Sequence, residues 1–559
     1  MFNYLKNLKY NIKKIEYVSV KLDSLKEGIN IIEDYIIIKS DQISIYDRVC
    51  DHMGGKIISK DDKHVCPMHN WMFNPLNGTY SNGIKKKKTN FILENKLIKI
   101  KKKKIYPRIT NIKKNSNIKI RFFNHAFLQV ETKEFKFATD PWAIGPAFNT
   151  GWWLKKATKS DWIKELNSCS FIYISHNHPD HLHPLTLSKI DKNIPIVVPK
   201  FTSDSTGNYI ESLGFKNIIR LDFSKEYQFK DTNLILTILK SGDFREDSGI
   251  YFSIGNFTAL FDVDSNLINF NQLPIVDLYA STFAGGASGY PLMFENFTIK
   301  ERLEIAKKDL RFGKIKKSEM IKDINPSFFL PYAGFFDEKL NRDKKIKKLN
   351  KKNKVEDYKK ICKKLKTVLL NVNEFDEFYF EKNKLKSQKI NNSDICKDIS
   401  PNKYLKFYKK NYSNIDKKYL QKYFEQSNFK DNLVLYLSLT NDNFSKSYFD
   451  FKVDFSSDKI KFNSLKSINT EKLYKNEKKK MLYLKCRKES FLNTVYNKAP
   501  WEDLSIGFQA KFWRFPNQYN VKFWHHFSNN YTTKKNIRFS SDCSNCEVLS
   551  TYVDNLIYN

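Results

Sequence analysis

The feature that most constrains this chain is a run of metal-binding side chains directly after an apolar segment. Residues 171–174 read FIYI, which predicts a buried β-strand. The pattern H-x-H-x-D-H follows, with His176, His178, Asp180 and His181 as its ligand-type side chains. Backbone that leaves a buried strand is held rigidly, so imidazoles and a carboxylate within six residues can converge on an ion at little ordering cost. The pattern therefore predicts a metal centre at the end of a strand.

The chain is long and strongly basic. Its 559 residues exceed what one hydrophobic core usually supports, so roughly two to four domains are expected. Lys and Arg number 97 against 61 Asp and Glu, which gives a net charge of +36. The lysines are spread along the whole chain without an arginine-rich helix or an aromatic RNA-binding motif, so we expect no nucleic-acid partner. A basic surface does attract anionic substrates and acidic redox partners.

Targeting signals and disulfide patterns are not evident in the sequence. Lysines interrupt the N-terminal residues, and no apolar run approaches the ~18 residues of a membrane span. We therefore expect a cytoplasmic protein without a membrane span. Near the C-terminus, Cys543 and Cys546 form a lone C-x-x-C, which we interpret as two free thiols rather than a zinc site.

A second ligand pattern lies in the N-terminal part of the chain, where short β-type runs separated by turn residues predict a small β domain. Within it, C-x-H at Cys50 and His52 is followed by C-x-x-H at Cys66 and His69. This spacing resembles a Rieske iron-sulfur domain, in which each of two loops supplies one Cys and one His to a [2Fe-2S] cluster. A Cys2His2 zinc site is the alternative. The Gly-Gly after the first pair and the Pro after the second Cys favour the cluster.

Histidine and aspartate recur at the ends of later predicted strands. His125 follows a strand that begins near Ile118, Asp140 ends the next predicted strand, and Asp264 follows another. The order of these strand-end ligands resembles that of the metallo-β-lactamase fold, which is an αββα sandwich with metals along one edge of its sheets.

The expected fold class is therefore multi-domain α+β. We predict a small all-β Rieske iron-sulfur domain at residues 1–105 and a metallo-β-lactamase-like sandwich at 115–340. A Lys-rich segment of amphipathic helices is predicted at 341–430, and a C-terminal α+β region at 431–559. Within the last region, residues 434–439 and 449–455 are predicted to form a β-hairpin.

The pairing of these two centres indicates redox chemistry. Hydrolysis needs a Lewis acid and a bound hydroxide but no electrons. A redox-active iron that uses O2 needs electrons delivered one at a time. We therefore interpret the chain as an oxygenase, with the cluster as relay and a mononuclear or dinuclear non-haem iron as the site of O2 chemistry. A zinc-dependent hydrolase or nuclease, or an electron-transfer protein that reduces O2 without a substrate, are the alternatives.

The chain is also similar to the CMP-N-acetylneuraminate hydroxylase family in stretches that run nearly end to end. They are residues 24–30, 140–148, 151–154, 172–181, 283–291, 331–336, 506–509 and 523–527. The resemblance implies that the N-acetyl group of CMP-N-acetylneuraminate is hydroxylated to N-glycolyl. It further implies O2 and a cytochrome b5-like or ferredoxin-like electron donor. Another CMP-linked nonulosonic acid or N-acylated sugar nucleotide is the nearest alternative substrate.

The same resemblance assigns roles to single residues. It implies cluster ligands at Cys50, His52, Cys66 and His69, and iron ligands at His176, His178, Asp180 and His181. Where the family tends to place a histidine after a strand and a glycine, this chain has Asp243, which either supplies a carboxylate ligand or leaves one ligand missing. Asp264 matches an aspartate of the family and is expected to complete the site, with a strand-end turn as the alternative.

Substrate contacts are expected from five further residues: His125, Trp152, Gly285, Gly286 and His526. The glycines lie in a Gly-rich loop that could present backbone N–H groups to the phosphate or carboxylate of the substrate, or could form a purely structural turn. Trp152 could line a sugar or cytosine pocket, or pack in the core.

Overall fold

The computed structural model describes the chain in segments. They are residues 5–7, 17–50, 56–60, 62–66, 71–81, 83, 85–101, 117–201, 203–223, 225–241, 246–265, 268, 276–381, 384–391, 394–396, 399–469, 473 and 479–529. Of the residues singled out above, His52, His69, Asp243, Cys543 and Cys546 lie outside these ranges. No helix in the described segments combines the length and apolar character needed to cross a membrane.

The N-terminal part is built from short strands. They are β1 Leu5–Asn7, β2 Tyr17–Lys21, β3 Gly28–Ile32, β4 Tyr35–Lys39, β5 Ser44–Asp47, β6 Ile58–Lys60, β7 Lys63–Cys66, β8 Trp71–Asn74, β9 Thr79–Tyr80, β10 Phe91–Glu94 and β11 Leu97–Lys101. Within the described residues, β2 to β11 pair as three antiparallel sheets, β10-β11-β2, β3-β4-β5 and β6-β7-β8-β9. β1 instead pairs with residues 227–229, further along the chain. The small β domain predicted from the sequence is confirmed.

The remaining strands belong to a sandwich and a C-terminal sheet. They are β12 Ile118–Asn124, β13 Phe127–Glu131, β14 Lys136–Thr139, β15 Pro146–Ala147, β16 Trp152–Leu154, β17 Phe171–Tyr173, β18 Ile196–Pro199, β19 Ile218–Leu221, β20 Glu226–Phe229, β21 Leu234–Lys240, β22 Ser248–Ile254, β23 Phe257–Val263, β24 Leu278–Ser281, β25 Phe328–Pro331, β26 Phe336–Asp337, β27 Val368–Leu369, β28 Phe375–Glu381, β29 Lys384–Lys389, β30 Leu433–Thr440, β31 Ser447–Asp454, β32 Lys461–Leu465, β33 Lys480–Arg487 and β34 Ala510–Phe515.

The α-helices lie between these strands. They are α1 Trp162–Asn167, α2 Pro184–Leu187, α3 Ser205–Ser212, α4 Ile299–Ile324, α5 Lys344–Leu349, α6 Lys359–Leu365, α7 Pro401–Asn411, α8 Lys417–Glu425, α9 Lys488–Tyr496, α10 Glu502–Ile506 and α11 Val521–Ser528. Short 3-10 turns occur at Leu22–Ser24, Asn341–Asp343 and Val355–Tyr358.

Two mixed eight-stranded sheets form the sandwich, in the orders β19-β18-β17-β14-β13-β12-β28-β29 and β1-β20-β21-β22-β23-β24-β25-β27. Central strands of both sheets, such as β17 and β21, are apolar and buried on both faces, as expected when each sheet is covered on both sides. Phe137 and Phe171 of the first sheet pack with Phe252 of the second. On the opposite face of the first sheet, Ile172 packs with Leu166 of α1.

The outer face of the second sheet is covered by α4, because Tyr279 and Ser281 of β24 contact Lys317 of that helix. The whole is the predicted αββα sandwich of the metallo-β-lactamase kind.

The segment predicted to be helical, residues 341–430, also contains the strands β28 and β29. β28 pairs with β12 and extends the first sheet of the sandwich. Its sequence FDEFYFE is rich in aromatic residues, and Phe378 and Phe380 are buried in the core between the sheets. This corrects the expectation of helices alone, because the lysines around these strands obscure a pattern of strand type.

The C-terminal region is a five-stranded sheet, β32-β31-β30-β33-β34, covered by helices. The predicted hairpin of β30 and β31 is confirmed. Its hydrophobic core includes Trp501 and also Phe148 and Trp152 of the sandwich, so the two regions share one packed core. Gly151 and Gly507 meet in this contact, where a Cβ atom on Gly151 would lie 2.2 Å from the backbone oxygen of Gly507.

Replacing Gly151 by alanine is expected to destabilise the fold by about 1–3 kcal/mol, because neither backbone can move aside without separating the two regions. Gly313→Ala is the matched control. Gly313 lies in α4, and a Cβ atom there would meet nothing within 4 Å. Alanine at this position should stabilise the chain by about 0.5–1 kcal/mol. Chemical unfolding measures the free energy of unfolding of both variants. Equal changes in that free energy would contradict the close contact of Gly151 with Gly507.

Candidate metal centre

The ends of several strands converge at one edge of the sandwich. β14 and β17 are parallel neighbours, so Asp140 and the H-x-H-x-D-H segment leave the first sheet at the same edge. His125 follows β12, and Asp264 follows β23 of the second sheet. Because carboxyl ends of parallel strands share an edge, residues distant in the sequence meet here. The structure thus brings the predicted ligand types of both sheets together.

His176 and His178 form the first half of the centre. Nε2 of His176 lies 2.9 Å from Nδ1 of His178. The carboxylate of Asp247 lies 3.9 Å from Nε2 of His176. His176 is 1% exposed and Asp247 is 3% exposed. These three side chains offer ligand atoms within 4.8 Å of one another.

His181 lies at the middle of the second half. Its Nε2 atom is 3.4 Å from Oδ2 of Asp180 and 3.6 Å from Oδ2 of Asp264. Nε2 of His125 contacts the same Asp180 oxygen at 3.1 Å. All but Asp264 are buried, and the side chain of Asp264 is 33% exposed. Asp264 therefore marks the accessible side of the centre.

Asp140 determines which nitrogen of two histidines carries the proton. Its oxygens accept hydrogen bonds from the backbone N–H and the hydroxyl of Ser175, both at 2.7 Å. Because this hydroxyl has donated its hydrogen, it accepts from Nδ1–H of His176 at 2.8 Å. Nδ1–H of His181 donates to Asp140 at 3.1 Å. When the rings are neutral, Nε2 of His176 and Nε2 of His181 therefore carry lone pairs.

This donor set fits a divalent transition-metal ion. Three groups have ligand atoms within 4.8 Å of one another: His125, Asp180 and His181; His176, His181 and Asp264; and His176, His178 and Asp247. Nε2 of His181 and Oδ1 of Asp180 are buried and make no hydrogen bond to any described residue. Such atoms are costly to bury, and a cation between them would satisfy both. Since the groups share His176 and His181, two adjacent cation positions also fit, and imidazole with carboxylate suits iron or zinc.

Burial and charge oppose each other at these side chains. Burial alone lowers the pKa of His178, but its hydrogen bond to Glu502 and the charges of nearby carboxylates raise that pKa to about 9. Burial also disfavours charge on His181, yet the charge of Asp180 raises the pKa of His181 well above its usual value. At Asp180 the effect of burial is outweighed by the charge of His181 and a hydrogen bond from His125, which hold its pKa well below its usual value. The site thus favours a cation.

The predicted substrate contacts lie at different places. The indole of Trp152 is 6.4 Å from the ring of His125, and it stacks on Phe336. Gly285 and Gly286 have positive φ angles, in a turn where the Gly286 carbonyl accepts from Asn350. His526 contacts the Ser427 carbonyl and the Phe429 ring. The roles of these residues in substrate binding stay predictions.

Only the cysteines of the N-terminal ligand pattern are described. Cys50 and Cys66 are 2% and 1% exposed, and both belong to a small core with Ile36 and Phe73. Cys66 ends β7, and Cys50 follows β5 by three residues. Both sulfur atoms therefore lie on one small β framework, two residues before His52 and three residues before His69 in the sequence.

Two residues at the centre, Asp247 and Glu502, are not predicted as functional from the sequence, and a third, Asp140, has a different role from the predicted one. Asp247 stands directly before β22, four residues after the predicted Asp243, and only its contact with His176 reveals it. The order of strand ends predicts Asp140 as a ligand, whereas the structure places it in hydrogen bonds to Ser175 and His181, which depend on the tertiary structure. Glu502 lies 324 positions from its contact His178, and no local pattern marks it.

Comparisons with known proteins agree with this description. Residues 12–95 match the family described as Rieske [2Fe-2S] domain, which confirms that prediction for the N-terminal part. The cytidine monophosphate-N-acetylneuraminic acid hydroxylase of Sus scrofa is 30% identical over 430 residues, 72% of this chain and 95% of that protein. The Macaca mulatta protein of the same name is 28% identical over 558 residues, 91% of this chain and 92% of that protein.

A solved structure also resembles part of the chain. It is Igni18, described as a novel metallo hydrolase from the hyperthermophilic archaeon Ignicoccus hospitalis, which is 13% identical. The match covers 49% of this chain and 100% of Igni18, with a TM-score of 0.32.

Proposed function

The chain belongs to the cytidine monophosphate-N-acetylneuraminic acid hydroxylase family, and we propose on this basis that it is an O2-dependent hydroxylase of a CMP-linked sugar. The proposed substrate is CMP-N-acetylneuraminate, whose N-acetyl methyl group becomes the hydroxymethyl group of N-glycolyl. One methyl C–H, O2, two electrons and two protons give one C–OH and one water. Another CMP-nonulosonate or N-acylated sugar nucleotide is the alternative substrate.

One observation carries this proposal, namely that a Rieske domain and a buried histidine–carboxylate centre occur in the same chain. A hydrolase with this centre would need no electron carrier, because metal-assisted hydrolysis involves no change of oxidation state. A hydroxylase that uses O2 needs two electrons per turnover, and a [2Fe-2S] cluster supplies them singly.

The residues of the chain divide between the two centres. We propose Cys50, His52, Cys66 and His69 as cluster ligands, and His176, His178, Asp180, His181 and Asp264 as ligands of non-haem iron, with Asp243 as a further candidate. When bound, iron at this position would supply the reduction of O2, in a mononuclear or a dinuclear site.

The polypeptide contributes orientation and shielding at the iron site. Asp140 holds Nε2 of His176 and His181 toward the shared space, directly at His181 and through Ser175 at His176. Trp142 and Trp152 lie beside His125 and are 0% and 2% exposed, so they exclude water from that side. The partly exposed Asp264 leaves the substrate one side from which to approach.

The proposed electron donor is an acidic protein of the cytochrome b5 or ferredoxin type. The net charge of +36 favours association with an acidic partner at low ionic strength. Because exposed charges are screened by salt, we expect the rate of cluster reduction by such a donor to fall as the salt concentration rises.

EPR and metal analysis of anaerobically purified protein test the proposal, followed by mass spectrometry of CMP-N-acetylneuraminate after incubation with 18O2 and a reductase system. We expect a Rieske-type signal after reduction, additional iron, and one 18O atom on the N-acyl group. Zinc without a cluster signal would contradict the oxygenase and favour the hydrolase alternative. If O2 consumption is coupled to hydroxylation of another CMP-linked sugar but not of CMP-N-acetylneuraminate, the proposed substrate is wrong.

A further inference from the structure

Glu502 brings the C-terminal region into contact with the metal-binding side chains. It is the first residue of α10, and its Oε2 atom lies 3.3 Å from Nε2 of His178. Its Oε1 atom accepts a hydrogen bond from the hydroxyl of Tyr519 at 2.8 Å. The side chains of His178 and Glu502 are 12% and 16% exposed. Both carboxylate oxygens therefore have defined partners, and one of these partners belongs to the H-x-H-x-D-H segment.

The backbone that carries Glu502 is held against the sandwich. The close approach of Gly507 to Gly151 fixes the end of α10, and the indole N–H of Trp152 donates to the Ile506 carbonyl at 3.1 Å. At the start of the helix, the backbone N–H of Glu502 donates to the Ser528 hydroxyl at 3.2 Å. The carboxylate thus approaches His178 from a rigid support.

Asn177 ties the metal-binding segment to the same region. Its side-chain amide donates to the Ser528 carbonyl and to the Ser205 hydroxyl, both at 3.1 Å. Ser528 therefore contacts both Asn177 and Glu502. The segment that carries His176 and His178 is thereby fixed to the C-terminal region at two neighbouring side chains.

A cation shared by His176 and His178 requires one tautomer of each ring. Asp140 and Ser175 leave the lone pair of His176 on Nε2, which faces Nδ1 of His178 at 2.9 Å. For both atoms to bind a cation, His178 must carry its proton on Nε2. The atom that can accept this proton in a hydrogen bond is Oε2 of Glu502.

We propose that Glu502 is a positioning residue of the metal centre, which holds His178 as the Nε2–H tautomer so that Nδ1 faces the cation. The metal centre of the sandwich is thus completed by a carboxylate from the C-terminal region. The inference rests on the metal centre proposed above. Asp140 has the same task at His176 and His181, so each of the three histidines of the segment has a carboxylate that determines its tautomer.

Binding of Co2+ to the full chain tests this proposal without use of the hydroxylation reaction. The protein carries its assembled cluster and is depleted of other iron. Affinity is measured by competition with a chelator, and the visible bands of Co2+ report its ligands. We expect Glu502→Ala to weaken Co2+ binding by about 10–100-fold, which is the usual effect of losing an outer-shell partner of a metal-bound histidine. The visible bands of Co2+ should also change. Glu502→Gln keeps a hydrogen-bond acceptor, so it should recover most of the affinity.

The matched control removes a contact between the same two regions away from the metal centre. The Asn296 side chain donates to the Arg514 carbonyl at 2.9 Å and accepts from its backbone N–H at 3.0 Å. Asn296→Ala should lower the melting temperature and leave Co2+ affinity within about twofold of the wild type, since no metal-binding residue loses a partner.

Three results would overturn the inference. Unchanged affinity in Glu502→Ala would show that the contact with His178 does not position the ring. Equal weakening in Asn296→Ala and Glu502→Ala would show that docking of the two regions is the cause. If the wild type binds no Co2+, the proposed metal centre itself fails and the role of Glu502 fails with it.

Discussion

Replacing His181 by alanine is expected to empty much of the metal centre and to reduce hydroxylation by more than about a hundredfold, beyond the effect usual for outer-shell residues. His181 takes part in two of the three groups of ligand atoms. It is 0% exposed, and its Nε2 atom lies between Asp180 and Asp264. Without the imidazole, a cavity separates these carboxylates, and the metal centre has one ligand fewer. Iron per chain and product per turnover measure the effect.

His183→Asn is the control for that substitution. His183 lies two residues away and is equally buried, but its Nδ1 atom accepts from the backbone N–H of Thr186 as the N-cap of α2. Burial lowers its pKa to about 4, so the ring is neutral. Asparagine is a good N-cap residue, so iron content should stay at the wild-type level. Full iron content in His181→Ala, or equal losses in the two variants, would contradict the assignment of His181.

Replacing Cys66 by serine is expected to abolish the Rieske signal and donor-dependent hydroxylation, while iron at the histidine–carboxylate centre is retained. A serine hydroxyl is a hard, poorly acidic group that does not replace a thiolate on an iron-sulfur cluster. Because Cys66 belongs to the small core of the N-terminal domain, its loss leaves the sandwich intact. EPR of the reduced protein, iron analysis and hydroxylation with the electron donor measure the outcome.

Cys362→Ser provides the matched control. Cys362 is another buried cysteine, in α6 against the second sheet, where burial raises the pKa of its thiol to about 11. This variant should keep the cluster signal and donor-dependent activity, with a small loss of stability from burying a hydroxyl. A Rieske signal that survives in Cys66→Ser would rule out this cysteine as a ligand. Simultaneous loss of both kinds of iron would show that the two centres do not assemble independently.

Much of the fold could be predicted because its signals are local. Alternating and apolar runs indicate the strands of the small β domain, β17 with the metal motif after it, and the hairpin of β30 and β31. β28 and β29 were missed, because lysine-rich neighbours made the region resemble amphipathic helices. The conformation of β28 depends on its pairing with β12, more than 250 residues away in the chain. The local sequence does not indicate so distant a partner.

The candidate site was predictable to a different extent for each residue. His176, His178, Asp180 and His181 lie within six positions, so their proximity follows from the spacing alone. Asp264 could be placed near them only through the order of strand ends. Asp243 stays a prediction, while Asp247, four positions later, is the carboxylate that the structure places beside His176.

The sequence by itself determined the types of donor atoms and their local spacing: two Cys–His pairs, a strand that ends in H-x-H-x-D-H, and a basic chain without an apolar span. The tertiary structure decided how these donors are oriented. Asp140 reaches His181 across 41 positions, and Glu502 reaches His178 across 324. A hydrogen bond depends on the distance between two atoms and not on their separation along the chain. The roles of these carboxylates could therefore be recognised only from the tertiary structure. The chemistry of the centre is local, whereas the control of its histidine tautomers is not.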